Sequence, residues 1–168
     1  MTTPKPIRAT VLVISDGVHH NTRIDKSGPA LVDHLRAAGF TVPDPEILPD
    51  ERQQIAAWLR TVIQNKLADV VFTTGGTGVA PRDVTPEAVR DVIDREIPGF
   101  GELMRQSGRI STPLASLSRG MAGVAGTVLI VTLPGSPKGA LESLGAILEL
   151  VPHVHDLLNG RTSHETKN

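Results

Sequence analysis

The chain alternates short, wholly apolar runs with longer stretches whose apolar residues recur every three to four positions. "ATVLVIS" (9–15), "DVVFTT" (69–74) and "TVLIVTLPG" (127–135) are β-branched runs of strand length that end in polar or turn residues, and they predict buried strands. Residues 42–48 predict a weaker strand. Pro43 and Pro45 within it cannot donate to a ladder and place it at a sheet edge.

Between these runs the period changes to that of a helix. "PDERQQIAAWLRTVIQNK" carries Ile55, Trp58, Leu59, Val62 and Ile63 on one face. Leu31, Leu35 and Ala38 predict a helix that Ser27 caps, with Pro29 in the first turn and Gly39 ending it. Thr85-Pro86-Glu87 opens a further helix, lined by Val89, Val92 and Ile93 and stopped by Pro98, and "GFGELMRQSGR" predicts a short one after it. "SPKGALESLGAILELV" places Leu141, Leu144, Leu148 and Val151 on one face. Strands alternating with amphipathic helices predict an α/β fold, a mostly parallel sheet covered on both sides. The Ser- and Gly-rich stretch 111–126 has no clear period and is read as a small β-hairpin.

Composition narrows the classes. At 168 residues the chain suits one domain, 1–168, with frayed tails at 1–6 and 161–168. A net charge of −1 gives no global field for nucleic acid or an acidic membrane. One Trp, three Phe and no Tyr leave little for a base-stacking platform. With no Cys, disulfides and thiolate metal sites are excluded. No stretch approaches the ~20 apolar residues of a membrane span, and the N-terminus lacks a signal-peptide pattern. The expected location is the cytoplasm.

In parallel sheets ligands bind beyond the carboxyl ends of the strands, so the strand-to-helix loops hold the candidate chemistry. Gly75, Gly76 and Gly78 in "TTGGTGVAPRDVT" permit positive φ and close backbone approach to a ligand. The loop matches neither G-x-G-x-x-G nor the P-loop pattern, and ordinary turns explain it equally well. Asp83 follows in the same loop; its alternative role is a local turn, with Thr85 capping the next helix. Asp50, in "LPDERQ", equally fits a capping box with Gln53. "LPGSPKG" offers Ser136, which can cap the following helix, and Lys138, and "DKSG" offers Asp25, Lys26, Ser27 and Gly28, both at helix starts that favour anions. Three such loops at one sheet edge suggest a pocket for a phosphorylated ligand. His19, His20, His153 and His155 lack metal-site spacing and are read as solvated or structural.

"TTGGTGVAPRDVTPEA", with "ISDGV", "DKSG", "LPDE", "PGFGELMR", "LSRGMAG" and "LPGSPKG" in order, resembles the molybdopterin adenylyltransferase family. That domain is shared by bacterial molybdenum cofactor biosynthesis proteins of the MogA/MoaB type and the G domains of gephyrin and its plant counterpart. The resemblance spans residues 8 to about 159. It implies a three-layer α/β/α sandwich and transfer of AMP from ATP to molybdopterin, releasing pyrophosphate. It also implies Mg²⁺, a homotrimer and a molybdate-insertion protein as a further partner. It assigns catalysis and Mg²⁺ binding to Asp50 and Asp83, and nucleotide binding to Gly75, Gly76, Thr77 and Gly78. Contacts to pterin or phosphate fall to Asp25, Ser27, Gly28, Ser136 and Lys138. The loop from His19 to Ile24 does not match the family pattern. Two other readings stay open: a non-catalytic pterin carrier, and a different hydrolase, because a related domain occurs in the nicotinamide nucleotide deamidase family.

Overall fold

The computed structural model describes residues 5–161; most of the two expected tails, 1–4 and 162–168, lies outside the described residues. Six strands form one sheet in the order β2-β1-β3-β6-β5-β4. Its parallel part comprises β1 (Ala9–Ile14), β2 (Glu46–Leu48), β3 (Val70–Thr74) and β6 (Val128–Leu133). Apolar residues buried on both faces explain this: Ala9, Val11, Val70, Phe72, Leu129 and Val131 face one core, and Leu12, Ile14, Val71 and Ile130 the other. Successive side chains point to opposite faces, so a strand covered on both sides must be apolar throughout.

Helices α2 (Ser27–Ala37), α5 (Pro98–Ser111), α6 (Pro137–Ile147) and α7 (Val151–Leu158) pack on the first face through Leu31, Leu35, Met104, Leu144 and Val151. On the second lie α3 (Arg52–Gln64) and α4 (Thr85–Arg90), through Ile55, Leu59, Val62, Ala88 and Val89. The result is the expected three-layer α/β/α arrangement. A one-turn helix α1 (Asp16–His19) follows β1 within the stretch expected to be loop, with Ser15 accepting from the Val18 N–H at its start.

The antiparallel arm differs from expectation. No separate hairpin fills 111–126: Pro113–Leu117 is a 3₁₀ turn, and β5 (Ala122–Ala125) pairs with β6 on one side and with β4 (Arg95–Glu96) on the other. Strand β4 has only two residues and exists because β5 is there to receive it. Pro98 begins α5 rather than stopping α4, which ends at Arg90; a proline at a first helical position loses only an N–H that has no helical partner. Ala38 is the exposed C-cap of α2, not part of its buried face.

The chain runs from β1 outward to β2 and then across β1 to β3. This reversal opens a crevice at the carboxyl ends of β1 and β3, the place where ligands bind in open α/β sheets.

Candidate active site

At that crevice lies a cleft of about 620 Å³. It is lined by Val13 and Ile14 of β1 with Ser15 just after them, and by Thr74 of β3 with Gly75 and Gly76 just after it. Asp50, after β2, and Asp83, before α4, line it with Asp25, Ser27 and Ser136. Two carboxylates 33 positions apart in the chain (83 minus 50) thus share one cavity.

Long-range hydrogen bonds build the walls. Thr74 Oγ1 donates to the Pro134 carbonyl at 2.7 Å, and Ser27 Oγ donates to the Gly135 carbonyl at 2.7 Å. Gly75 has φ +105° and Gly76 φ +65°, conformations nearly reserved to glycine. A Cβ on Gly75 would stand 2.1 Å from the Ile14 carbonyl oxygen, so this glycine lets the ends of β1 and β3 meet. Gly78 serves differently: its φ is not positive, but a Cβ there would meet Asp83 Oδ2 at 2.7 Å.

Several local roles expected of these residues fall to others. Asp50 makes no capping box; its Oδ2 accepts the Asp16 N–H at 2.8 Å, and α3 starts without a side-chain cap. Thr85 is the first residue of α4, not its cap, and its hydroxyl donates to the Gly75 carbonyl at 2.9 Å. At α2 the capping group is Asp25, whose Oδ1 accepts the N–H groups of Ser27 and Gly28, both at 3.0 Å. Ser136 does cap α6, accepting from the Gly139 N–H at 3.2 Å.

The other candidates spread around this cavity. Thr77 and Gly78 line a second, more apolar cavity of about 490 Å³, joined to the first through Gly76, Asp83, Gly135 and Ser136. Gly28 lines neither and packs between Asp25 and Val13. Lys138 also lines neither; it is 76% exposed, with Nζ 3.7 Å from Glu142. Arg82 points to Asp16 and Glu51. His19, His20 and His153 are exposed and His155 is half-buried.

Three residues that sequence reasoning passes over organise the site. Asp16 and Asp50 each donate a backbone N–H to the other's carboxylate, and Asp16 also receives the Nε and one terminal N–H of the Arg82 guanidinium at 3.0 Å. Arg119 gathers the Gly loop: its N–H donates to the Thr77 carbonyl, and its guanidinium to the carbonyls of Gly78 and Asp83 and to the Glu87 carboxylate. Arg23 lines the cleft beside Lys26. The only advance signs were "ISD" at a strand end and Arg119 within "LSRGMAG".

Burial, and then the charges of Asp16 and Asp83, push Asp50 above the usual aspartate range, against a backbone hydrogen bond at Asp16 and the charge of Arg82. Asp16 behaves oppositely: burial alone would raise it, but hydrogen bonding at Asp50 and Arg82 holds its carboxyl below that range. Asp50 Oδ1 and Asp83 Oδ1 have no hydrogen-bond partner among the described residues, while each Oδ2 accepts a backbone N–H. Among the described residues, no group of three or more His, Cys, Asp or Glu could hold a metal on its own. Two free carboxylate oxygens that repel each other suit Mg²⁺, which is commonly held by one or two carboxylates plus substrate phosphates.

A family model described as "Probable molybdopterin binding domain" matches residues 10–153. The molybdopterin adenylyltransferase of Helicobacter pylori (strain J99) is 45% identical over 156 residues, 92% of this chain and 89% of that protein. The solved molybdopterin biosynthesis enzyme MoaB of Thermus thermophilus is 47% identical with a TM-score of 0.86, over 92% of this chain and 97% of that one. The molybdenum cofactor synthesis protein cinnamon of Drosophila melanogaster is 39% identical over 157 residues, 91% of this chain. The chain spans only about a quarter of the length of cinnamon and of Dictyostelium discoideum gephyrin, 26% and 24%. A family model over most of its length and close relatives of nearly its own size place the chain in the molybdopterin-binding domain family of molybdenum cofactor biosynthesis.

Proposed function

We propose that the chain is a single molybdopterin-binding domain that transfers AMP from ATP to the terminal phosphate of molybdopterin. The observation that carries this reading is the convergence of Asp50 and Asp83 with Gly75 and Gly76 on one cleft at the sheet's switch point. A pterin phosphate oxygen attacks the α-phosphorus of ATP and forms a new P–O bond. The bond from that phosphorus to the α,β-bridging oxygen breaks, and its electron pair leaves with pyrophosphate. The nucleophile is already ionised at neutral pH, so no strong general base is required, and catalysis consists of positioning and charge neutralisation.

Asp50 and Asp83 would hold Mg²⁺ through their free oxygens, and that ion offsets phosphate charge when bound. The Gly75–Gly76 backbone fits close approach of a nucleotide. Ser136, which lines the cleft at the start of α6, offers its hydroxyl to the pterin phosphate, whereas the first N–H groups of α2 are already taken by Asp25. Lys138, although its exposed ammonium stands off the cleft, would reach a phosphate only by leaving Glu142. The homotrimer, the cytoplasmic location and a molybdate-insertion partner belong to this proposal and rest on the family resemblance.

Incubation with ATP, Mg²⁺ and molybdopterin tests the reading. The expected result is one pyrophosphate per adenylylated pterin, with Asp50→Asn and Asp83→Asn each lowering kcat by about 10²-fold or more. Pterin binding without pyrophosphate release would instead establish a carrier.

A further inference from the structure

The cleft is lined by the acids Asp25, Asp50 and Asp83 and by the cations Arg23 and Lys26, and among the described residues none of the five forms an ion pair. Around the site, Arg82 is held by Asp16 and Glu51, Arg119 by Glu87, and Lys138 by Glu142. Arg23 and Lys26 both line the cleft that contains Asp50 and Asp83. Among the described residues neither forms an ion pair. The acid between them in the chain, Asp25, is engaged at the start of α2 by the Ser27 and Gly28 N–H groups.

The segment that carries them is folded back on itself. The N–H groups of Thr22 and Arg23 donate to the Gly17 carbonyl at 2.9 Å, as does Thr22 Oγ1 at 3.0 Å. The Asn21 N–H reaches the Val18 carbonyl at 3.1 Å, with Asn21 itself at φ +58°. A tightly turned segment presents two long cationic side chains on a fixed backbone, so ordering them costs mainly side-chain entropy.

We propose that Arg23 and Lys26 form a polyphosphate-binding wall that holds the β- and γ-phosphates of ATP and then the departing pyrophosphate. The assignment rests on the adenylyl-transfer reading and gives the unmatched His19–Ile24 loop a role in it. Three carboxylates, Asp25, Asp50 and Asp83, line the cleft, so the tail of the nucleotide needs counter-charge from elsewhere. A planar guanidinium can grip two phosphate oxygens, while an ammonium supplies a point charge.

Calorimetry with inorganic pyrophosphate, and separately with AMP, distinguishes this wall from a general anion surface. Arg23→Gln and Lys26→Gln should each weaken pyrophosphate binding about tenfold, and the double variant more, with AMP binding and thermal stability unchanged. KM for MgATP should rise about tenfold in the double variant, with kcat falling less. A double variant whose pyrophosphate affinity stays within twofold of wild type overturns the proposal, as does wild-type protein that binds no pyrophosphate. Equal losses for AMP and pyrophosphate also overturn it, since they would mark a general anion surface or a wall on the α-phosphate. Wild-type protein that binds pyrophosphate through these residues but forms no adenylate leaves the wall standing and removes the adenylyl-transfer reading. An active wild type with an unaltered double variant does the reverse.

Discussion

The backbone N–H of Asp16 donates to the Asp50 carboxylate at 2.8 Å, and the Asp50 N–H returns a bond to Asp16 Oδ1 at 3.0 Å. This exchange joins the ends of β1 and β2 and leaves Asp50 Oδ1 free. It also places two negative groups side by side. Burial first, and then the charges of Asp16 and Asp83, raise the Asp50 pKa. Only ionised Asp50 can hold a cation, so activity should fall as pH drops through that raised value. The acid limb of kcat/KM for MgATP, which reports the free enzyme, is expected above the ordinary aspartate value of about 3.9. Asp16→Asn keeps both the acceptor oxygen and the donating N–H but removes one negative charge, so Asp50 should titrate lower. The limb should therefore move to lower pH in the pH–rate profile; an unmoved limb would assign it to another group.

Arg119 is the main fastening of the Gly loop, and its removal should be felt there before anywhere else. Arg119→Ala is expected to cost about 1–3 kcal/mol, toward the low end because the side chain is 34% exposed. Arg119→Lys keeps the charge but not the planar fork and should recover only part of the loss. Amide exchange at residues 77–84 should accelerate in both variants while β1 and β3 stay protected. Glu87 gives a pH signature. Burial would raise its pKa, but Arg119 outweighs burial and the pKa ends below the ordinary value. A depressed carboxylate stabilises the fold above its unfolded pKa, about 4.3, and that contribution is lost as pH falls through the lower folded value. Denaturant titrations should therefore show a shallower loss of stability below about pH 4.3 in Arg119→Ala than in wild type. Equal slopes would remove the pair from the acid response.

Thr73 is fully buried in β3, and its Oγ1 has no hydrogen-bond partner among the described residues. A buried hydroxyl without a partner carries a desolvation cost of about 1–3 kcal/mol. Thr73→Val replaces it with a methyl of similar shape on a strand that already favours β-branching. Stability from urea unfolding should rise by about 1 kcal/mol with activity unchanged, because Thr73 lines neither cavity. A loss of stability would mean that the hydroxyl has a partner in solution.

Strands β1, β3 and β6 were legible because a strand buried on both faces must be apolar at every position, and "VVFTT" and "VLIVTL" are nearly so. Strand β5 was not: Ala122-Gly-Val-Ala shows no period, and β4 depends on β5 to exist. The same division holds at the site. Ser136 caps α6 within three residues of its partner, and the local pattern found it. Thr85, Asp50 and Arg82 reach partners 10, 34 and 66 residues away. A capping-box spacing could not compete with those bonds, because tertiary contact brought better donors and acceptors than the local backbone offered. Asp50 and Asp83 stand out in the sequence beside strand ends and helix starts, and both line the cleft, but the bonds that Asp16 and Arg119 make to them span 34 and 36 residues, which no local pattern predicts.

Gly75 and Gly126 separate two reasons for glycine. Both have positive φ, +105° and +58°. A Cβ at Gly126 would meet nothing within 4 Å, whereas one at Gly75 would stand 2.1 Å from the Ile14 carbonyl oxygen. Gly126→Ala therefore carries only the left-handed backbone cost, about 1–2 kcal/mol. Gly75→Ala adds the displacement of one strand end from another, about 1–3 kcal/mol more, and the atoms that must move are the floor of the cleft. Chemical denaturation should rank the two variants in that order. Pyrophosphate release should fall about tenfold or more in Gly75→Ala, since a shift near 1 Å at a reacting centre costs on the order of 10²-fold, and stay near wild type in Gly126→Ala. Equal stability losses would mean that β1 and β3 part at the cleft without cost, and that the close Ile14–Gly75 contact does not fix the site.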